Sequence, residues 1–265
     1  MWEWLLPIFG FLIGIAASLT GVGGGIFIVP LLNLLYDFSA IGAIGTSLAT
    51  IILTSIASAA NYIKQKRVYI KIGLVLALAT APGGYAGAAL TGIAEVKALL
   101  GPIFGVFLII VAAQMMYKAL STKSEKACGQ KDAAFEAGLL RNRRKLAVGL
   151  CLSFFGGVAS GMLGVGGGTI LVPIMCYALD FPIHFSIPTS MFIMIFTSIT
   201  GVANHLQQGN VNPEFALYLG LGSVFGAQIG AYTSKRLSGR NLRLVFAVML
   251  IVASINMILK SLKMI

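Results

Sequence analysis

Long apolar runs separated by short polar stretches dominate this sequence. Most of the runs approach or exceed the ~20 residues that an α-helix needs to cross a bilayer. Two runs are much shorter, and helices of their length would cover only about half of a ~30 Å hydrocarbon core. The pattern predicts an all-α polytopic membrane protein. Its segments are 4–20, 26–36, 40–62, 70–92, 97–119, 145–163, 169–179, 184–206, 213–235 and 243–260.

The same short motif precedes both short runs. Gly-Val-Gly-Gly-Gly occupies 21–25 and again 164–168, so the two copies lie 143 residues apart. Other residues match at this offset without a gap, among them Pro30 with Pro173, Thr46-Ser47 with Thr189-Ser190, and Asn61 with Asn204. The register indicates a duplication. We therefore predict two transmembrane repeats, 1–120 and 145–265, joined by a polar cytoplasmic linker at 121–144.

Composition agrees with a membrane protein. Of the 265 residues, 58% are hydrophobic and 10% are charged, and the mean hydropathy is +0.93, whereas a soluble domain carries about 25% charged residues. The net charge of +11 could suggest nucleic acid. The basic residues lie in short loops between apolar runs, however, which is the positive-inside pattern. The predicted partner is the lipid bilayer, and no nucleic acid is expected.

Loop charge also predicts orientation. Basic residues concentrate at 64–71, 121–145 and 235–243, and the equivalents of the first and last in the other half lack this excess. If all three basic regions are cytoplasmic, the two halves have opposite orientations, as in the inverted-topology repeats of secondary transporters. Each half then crosses the bilayer an odd number of times. Three full helices with a glycine-broken, re-entrant pair satisfy this condition, and so do five crossings with one short helix.

The glycine motifs predict helix breaks. In lipid a non-helical stretch survives only where protein or a watery cavity surrounds it, and close helix packing is the alternative reason for such glycines. Because proline fits best in a first turn, the following helices are expected to begin near Ile28 and Leu171. Their N-termini would offer free N–H groups to a small anion. The predicted substrate-binding glycines are Gly21, Gly23, Gly24, Gly25, Gly164, Gly166, Gly167 and Gly168.

Charge placement also favours an anion. Every acidic residue falls in a loop, in the linker or at a segment end, and no Lys or Arg lies mid-span. Neutral polar side chains would therefore complete the site, although Ser and Thr can instead bond to their own helix, and Asn and His can join helices. The candidates are Thr46, Ser47, Thr189, Ser190, Asn61 and Asn204, with His205 and Gln228 as further possibilities.

The sequence predicts neither an enzyme nor a resident cofactor. Nucleophilic catalysis needs a nucleophile beside a base, and a metal needs clustered ligands. The His, Asp, Glu and Cys residues have no such spacing. We therefore expect no catalytic residue, no cofactor and no metal, and we expect the three cysteines to be free thiols.

The doubled Gly-Val-Gly-Gly-Gly-x-x-x-Val-Pro motif, the duplication and the length resemble the TauE/SafE family of sulfite exporters. The resemblance implies a multi-pass permease of a prokaryotic cytoplasmic (inner) membrane. Such a protein moves small sulfur-containing anions, such as sulfite or organosulfonates, and we expect alternating access. An anion channel, or an importer of a sulfur oxyanion such as thiosulfate, is the alternative. A monomer and a homodimer both fit the sequence.

Overall fold

The computed structural model describes residues 3–93 and 133–234, with the single positions 106, 109, 110, 113, 116, 117 and 251. Every regular element in these ranges is helical, as the apolar pattern predicts. The fifth predicted segment of each half, 97–119 and 243–260, lies almost wholly outside the described residues. The linker residues 121–132 and the basic stretch 235–243 also lie outside them.

The described ranges contain one 3-10 turn, Glu3–Leu5, and nine α-helices. The helices are α1 Leu6–Thr20, α2 Gly25–Leu35, α3 Ala40–Lys64, α4 Ile70–Leu90, α5 Ala133–Arg141, α6 Arg143–Leu163, α7 Gly168–Ala178, α8 Ile183–Gln207 and α9 Pro213–Thr233. Helices α2, α3 and α4 reappear 143 residues later, with unchanged lengths, as α7, α8 and α9. Only α5, which lies inside the predicted linker, has no counterpart among the predicted segments.

Helix α2 begins at Gly25, so the prediction that it begins near Ile28 is wrong. The carbonyl of Gly24 accepts the first helical hydrogen bonds before the chain reaches Pro30. The proline therefore lies in the second turn, where it removes one intrahelical bond without preventing the helix from starting. Helix α7 departs from the prediction in the same way, because it begins at Gly168.

Glycines let helices of different halves pack backbone against backbone. On α1, a Cβ added to Gly10 would collide with the backbone of Leu219, and one added to Gly14 with the backbone of Ser223. Small residues at this spacing allow such close approach. The contacts advance along both helices together, so α1 and α9 run parallel. Helices α6 and α4 form the equivalent parallel pair.

Helices α3 and α8 cross in the centre and run antiparallel. Gly45, near the start of α3, faces the side chain of His205, near the end of α8. Leu48, one turn further along α3, contacts Gly201, one turn earlier in α8. Helices α3 and α8 are equivalent by the 143-residue shift, so this pair of equivalent helices runs in opposite directions through the bundle.

The chain turns back between α1 and α3. Thr54 and Asn61 of α3 bond to Ser223 and Gln228 of α9, so α3 runs parallel to α9. Since α1 also runs parallel to α9, α2 must carry the chain back toward the end of the bundle where α1 began. With 11 residues, α2 rises only about 16 Å. The second half repeats this hairpin with α6, α7 and α8.

The outer surface of the bundle is apolar. Leu78 of α4 is 77% exposed, and Phe155 of α6 and Phe225 of α9 are each 67% exposed. Five described helices, α3, α4, α6, α8 and α9, are long and apolar enough to cross a membrane. Large apolar side chains facing outward are what a lipid environment accommodates, so the chain is a multi-pass membrane protein.

The described parts of the basic regions meet at one end of the bundle. The N–H of Lys71 donates to Glu136 Oε1 of α5 over 3.1 Å. Arg67 Nη1 donates to the hydroxyl of Ser234, the residue before the basic stretch 235–243, over 2.9 Å. The α3–α4 loop, helix α5 and the end of α9 therefore lie at the same end of the bundle.

Candidate substrate site at the two glycine breaks

The first break joins α1 to α2 through backbone conformations that suit glycine. Gly21, Gly23 and Gly24 have φ angles of 74°, 82° and 91°. The equivalent residues of the second break have φ angles of 69°, 75° and 87°. Residues with a Cβ rarely adopt such positive values. Both copies of the motif therefore form the same left-handed turn at the end of a helix.

The two breaks contact each other between α3 and α8. A Cβ added to Gly25 would collide with the carbonyl oxygen of Gly164. A Cβ added to Gly168 would collide with the carbonyl oxygen of Gly21. The two contacts are related by the 143-residue shift. The structure thus brings the predicted glycines of both halves into one place.

Each break contains five consecutive backbone N–H groups with no acceptor among the described residues, those of residues 22–26 and 165–169. All of these residues except Thr169 are buried. A buried N–H without an acceptor is costly. Successive N–H groups at a left-handed turn and a helix N-terminus carry partial positive charge, and they favour an anion. The breaks therefore supply buried donors that no acceptor in the described part of the protein satisfies.

Two of the predicted serines hold the breaks in place. Ser47 Oγ donates to the carbonyl oxygen of Gly164 over 2.8 Å. Ser190 Oγ lies 3.0 Å from the carbonyl oxygen of Gly21 and 2.8 Å from that of Ile187 in its own helix, so its single hydrogen is shared between these two acceptors. Each serine therefore anchors the break of the opposite half, and its hydroxyl hydrogen is already engaged. Both serines lie at the breaks, and their geometry is that of support for the backbone.

The neighbouring threonines face away from the breaks. Thr46 Oγ1 accepts the N–H of Asn212 over 3.0 Å, just before α9. Thr189 Oγ1 accepts the N–H of Tyr69 over 3.2 Å, just before α4. Both threonines thus fix the start of a helix from the opposite half, and the structure does not bring them to the glycines.

The predicted amides lie near the far ends of their helices. Asn61 Nδ2 donates to Gln228 Oε1 over 3.0 Å. Asn204 Oδ1 accepts a hydrogen bond from Gln208 Nε2. These contacts join α3 to α9 and stabilise the end of α8. The structure therefore separates Asn61, Asn204 and Gln228 from the breaks.

His205 joins two helices. The residue is fully buried, and its Nε2 lies 3.2 Å from the carbonyl oxygen of Gly161 in α6. Tyr62, its equivalent in the first half, donates its hydroxyl to the carbonyl oxygen of Ser18 over 2.6 Å. The two contacts are equivalent by the 143-residue shift. His205 thus has the geometry of a helix–helix contact.

Ser55 and Ser198 match at the offset of 143 but are not among the predicted site residues. Both are fully buried, and neither Oγ has a hydrogen-bond partner among the described residues. Each lies one turn beyond a side chain that packs on the breaks. Ile51 Cδ1 would lie 2.9 Å from a Cβ on Gly25, and Met194 Sδ packs on the breaks in the same way. Two buried hydroxyls, each one helical turn from a side chain that packs on the breaks, therefore have no partner in the described part of the chain.

Comparison with known proteins gives one family. The family model described as Sulfite exporter TauE/SafE matches residues 6–257. The chain is similar to the probable membrane transporter protein YunE of Bacillus subtilis, with 32% identity over 96% of both chains. It is also similar to a probable membrane transporter protein of Methanocaldococcus jannaschii, with 28% identity over 96% of this chain and 95% of the relative. No solved structure gives a significant match.

Proposed function

The chain belongs to the TauE/SafE family and is a membrane transporter, and we propose that it moves a small sulfur-containing anion such as sulfite or an organosulfonate. The observation that carries this proposal is the pair of breaks with their five N–H groups each. An anion bound there would accept hydrogen bonds from donors that otherwise have no acceptor in the described structure. Unlike a lysine, these donors carry no full charge that must be buried in the empty transporter.

The burial of the breaks supports a carrier more than an open channel. All ten residues from 21 to 25 and from 164 to 168 are buried. A channel filter must face water from both sides. In a carrier, the central site is closed to at least one side at every stage, and a closed site has the burial observed here. We propose that alternating access opens the breaks to each side in turn.

The opposite directions of equivalent helices support an inverted repeat. A movement that opens one half toward the cytoplasm has a counterpart, related by the pseudo-twofold axis of an inverted repeat, that opens the other half outward. The α1–α2 and α6–α7 hairpins would then enter the bilayer from opposite faces as re-entrant pairs. Their glycine turns, which contact each other, would then lie near the midplane.

The membrane potential favours export of an anion, and the basic end of the bundle is expected to face the cytoplasm. The positive-inside rule places the α3–α4 loop, helix α5 and the end of α9 on that side. An anion leaving a negative-inside cell gains ~2.3 kcal/mol per charge per 100 mV. The described helices that cross the bundle carry no mid-span carboxylate that could relay a proton or hold a sodium ion. Export by uniport therefore needs no coupling site.

Orientation can be tested with topology reporters at two loops. Reporters inserted at Lys66, after α3, and at Gly209, after α8, are expected to report opposite sides of the membrane. The reason is that α3 and α8 run antiparallel and both are long enough to span. Lys66 should be cytoplasmic. Reporters on the same side would contradict the inverted repeat.

Transport can be tested by counterflow in proteoliposomes. Vesicles that contain purified protein and unlabelled sulfite are expected to accumulate radiolabelled sulfite transiently, and the flux should saturate with concentration. Organosulfonates should compete, and empty vesicles give the background. A steady ionic current without saturation or counterflow would support the channel instead. No flux of sulfite, organosulfonate or thiosulfate would contradict the proposed function.

A further inference from the structure

The two breaks differ in the side chains beside them. In the second half, Ser160 Oγ would lie 3.4 Å from a Cβ on Gly167. In the first half, the equivalent contact is made by the methyl group of Ala17, 3.4 Å from a Cβ on Gly24. Ser160 is fully buried, and its Oγ has no hydrogen-bond partner among the described residues. Of these two equivalent positions, only the one beside the second break therefore carries a side-chain hydroxyl, and that hydroxyl has no partner in the described part of the chain.

A second hydroxyl follows the same break. Thr169 is the second residue of α7, and its Oγ1 is buried without a partner among the described residues. Its equivalent in the first half is Ile26, which is 1% exposed and offers no donor. The second break thus has two free hydroxyls where the first has two apolar side chains. Packing alone gives no reason for this difference, since apolar side chains serve at the equivalent positions.

We propose that the anion binds at the second break and that Ser160 and Thr169 are specificity-determining residues. The first break then mainly shapes the site through its contact with the second. This inference rests on the proposed function, because it concerns where the same transported anion is held. The free N–H groups of residues 165–169 would attract the negative charge, and the two hydroxyls would donate to its oxygens.

The chemistry predicts a preference among anions. A sulfur oxyanion presents several strong acceptor oxygens around one sulfur atom, and the hydroxyls before and after the glycines would each donate to a different oxygen. A halide has no such separate acceptor atoms, so the two hydroxyls contribute less to its binding. We therefore expect the pair to select sulfite and sulfonates over chloride.

Removing the hydroxyls tests the proposal. Ser160→Ala and Thr169→Val should each raise the half-saturation concentration for sulfite exchange by about tenfold, because a hydrogen bond to an ion contributes roughly that factor or more. The chloride concentration that half-inhibits sulfite exchange should change little. The fold should persist, since the first half has Ala17 at the equivalent of Ser160.

Ser153→Ala provides the matched control. Ser153 lies on the same helix, seven residues before Ser160, and it is also buried with an unpartnered Oγ among the described residues. At ~10 Å from Ser160 along the helix, it lies away from the break. Its variant should exchange sulfite like the wild type. Equal loss in Ser153→Ala and Ser160→Ala would overturn the proposal, because the effect would then be one of packing.

A mirror variant tests the asymmetry itself. Ala17→Ser adds a hydroxyl beside the first break, and its half-saturation concentration should stay within about twofold of the wild type, well below the effect of one hydrogen bond to an ion. If Ala17→Ser gained as much affinity as Ser160→Ala lost, the anion would lie between the two breaks, and the proposal would be overturned. Wild-type exchange with no effect of Ser160→Ala or Thr169→Val would refute this inference alone. Absence of any exchange by the wild type would instead refute the proposed function.

Discussion

Replacing Gly25 or Gly168 by alanine is expected to reduce anion exchange by at least about tenfold, the factor that corresponds to about 1.4 kcal/mol. Gly25 has no positive φ, so alanine adds no backbone strain there. Its methyl group would instead collide with the carbonyl oxygen of Gly164. A carbonyl cannot rotate away as a side chain can, so the two breaks must separate, and the Ser47–Gly164 hydrogen bond must lengthen or break. Such overpacking costs about 1–3 kcal/mol.

The measurement is sulfite counterflow, together with size-exclusion chromatography to show that the variants remain folded. Gly138→Ala is the control, because a Cβ on Gly138 in α5 meets no atom within 4 Å. This variant should behave like the wild type. Wild-type exchange by both Gly25→Ala and Gly168→Ala would mean that the breaks do not touch in the working transporter.

Arg67→Met is expected to lower the free energy of unfolding by about 3 kcal/mol, because hydrogen bonds of a charged group contribute about 1.5–3 kcal/mol each. Arg67 is only 5% exposed. Its Nη1 donates to Ser234 Oγ over 2.9 Å, and its Nη2 donates to the carbonyl oxygen of His184 over 3.2 Å. The guanidinium carbon also lies 5.4 Å from the ring centroid of Tyr62. Methionine fills similar space but leaves both oxygens without their donor.

Unfolding in mixtures of mild detergent and dodecyl sulfate measures this change. Lys66→Met is the matched control, since Lys66 precedes Arg67 in the same loop, loses the same charge and is exposed. Its free energy of unfolding should change by less than about 0.5 kcal/mol, as for most surface substitutions. If the two variants were equally stable, Arg67 would not join the α3–α4 loop to α8 and α9 as described.

Helix identity and boundaries were largely predictable from sequence. The apolar runs and the glycine motifs are local signals, and each described helix of the two repeats ends within about two residues of its predicted segment, the usual scatter of helix ends. The more specific prediction, that α2 and α7 begin near Ile28 and Leu171, was wrong. The preference of proline for a first turn predicted that α2 begins near Ile28. In the structure, the carbonyl oxygen of Gly24 already accepts hydrogen bonds from the N–H groups of Phe27 and Ile28. A backbone hydrogen bond thus outweighed a positional preference.

Which candidate residues lie together was predictable only in part. The glycine motifs of both halves were visible in the sequence because they recur, and in the structure they contact each other, with Ser47 beside Gly164. Thr46 adjoins Ser47 in sequence, but successive residues of a helix point about 100° apart, so Thr46 faces α9 instead. Asn61 lies 14 residues beyond Ser47, which is about 21 Å along α3 and too far for a shared small ligand.

The sequence by itself determined the class of protein, the duplication and the location of the two helix breaks, because composition, register and glycine content act within short stretches of chain. Only the tertiary structure decided that the breaks touch and which hydroxyls remain unpaired. The hydroxyl of Ser47 donates a hydrogen bond to Gly164, 117 positions away. The hydroxyls of Ser55, Ser160 and Thr169 have no partner among the described residues. Hydrogen bonding depends on distances of about 3 Å between atoms, and only folding brings such distant residues that close.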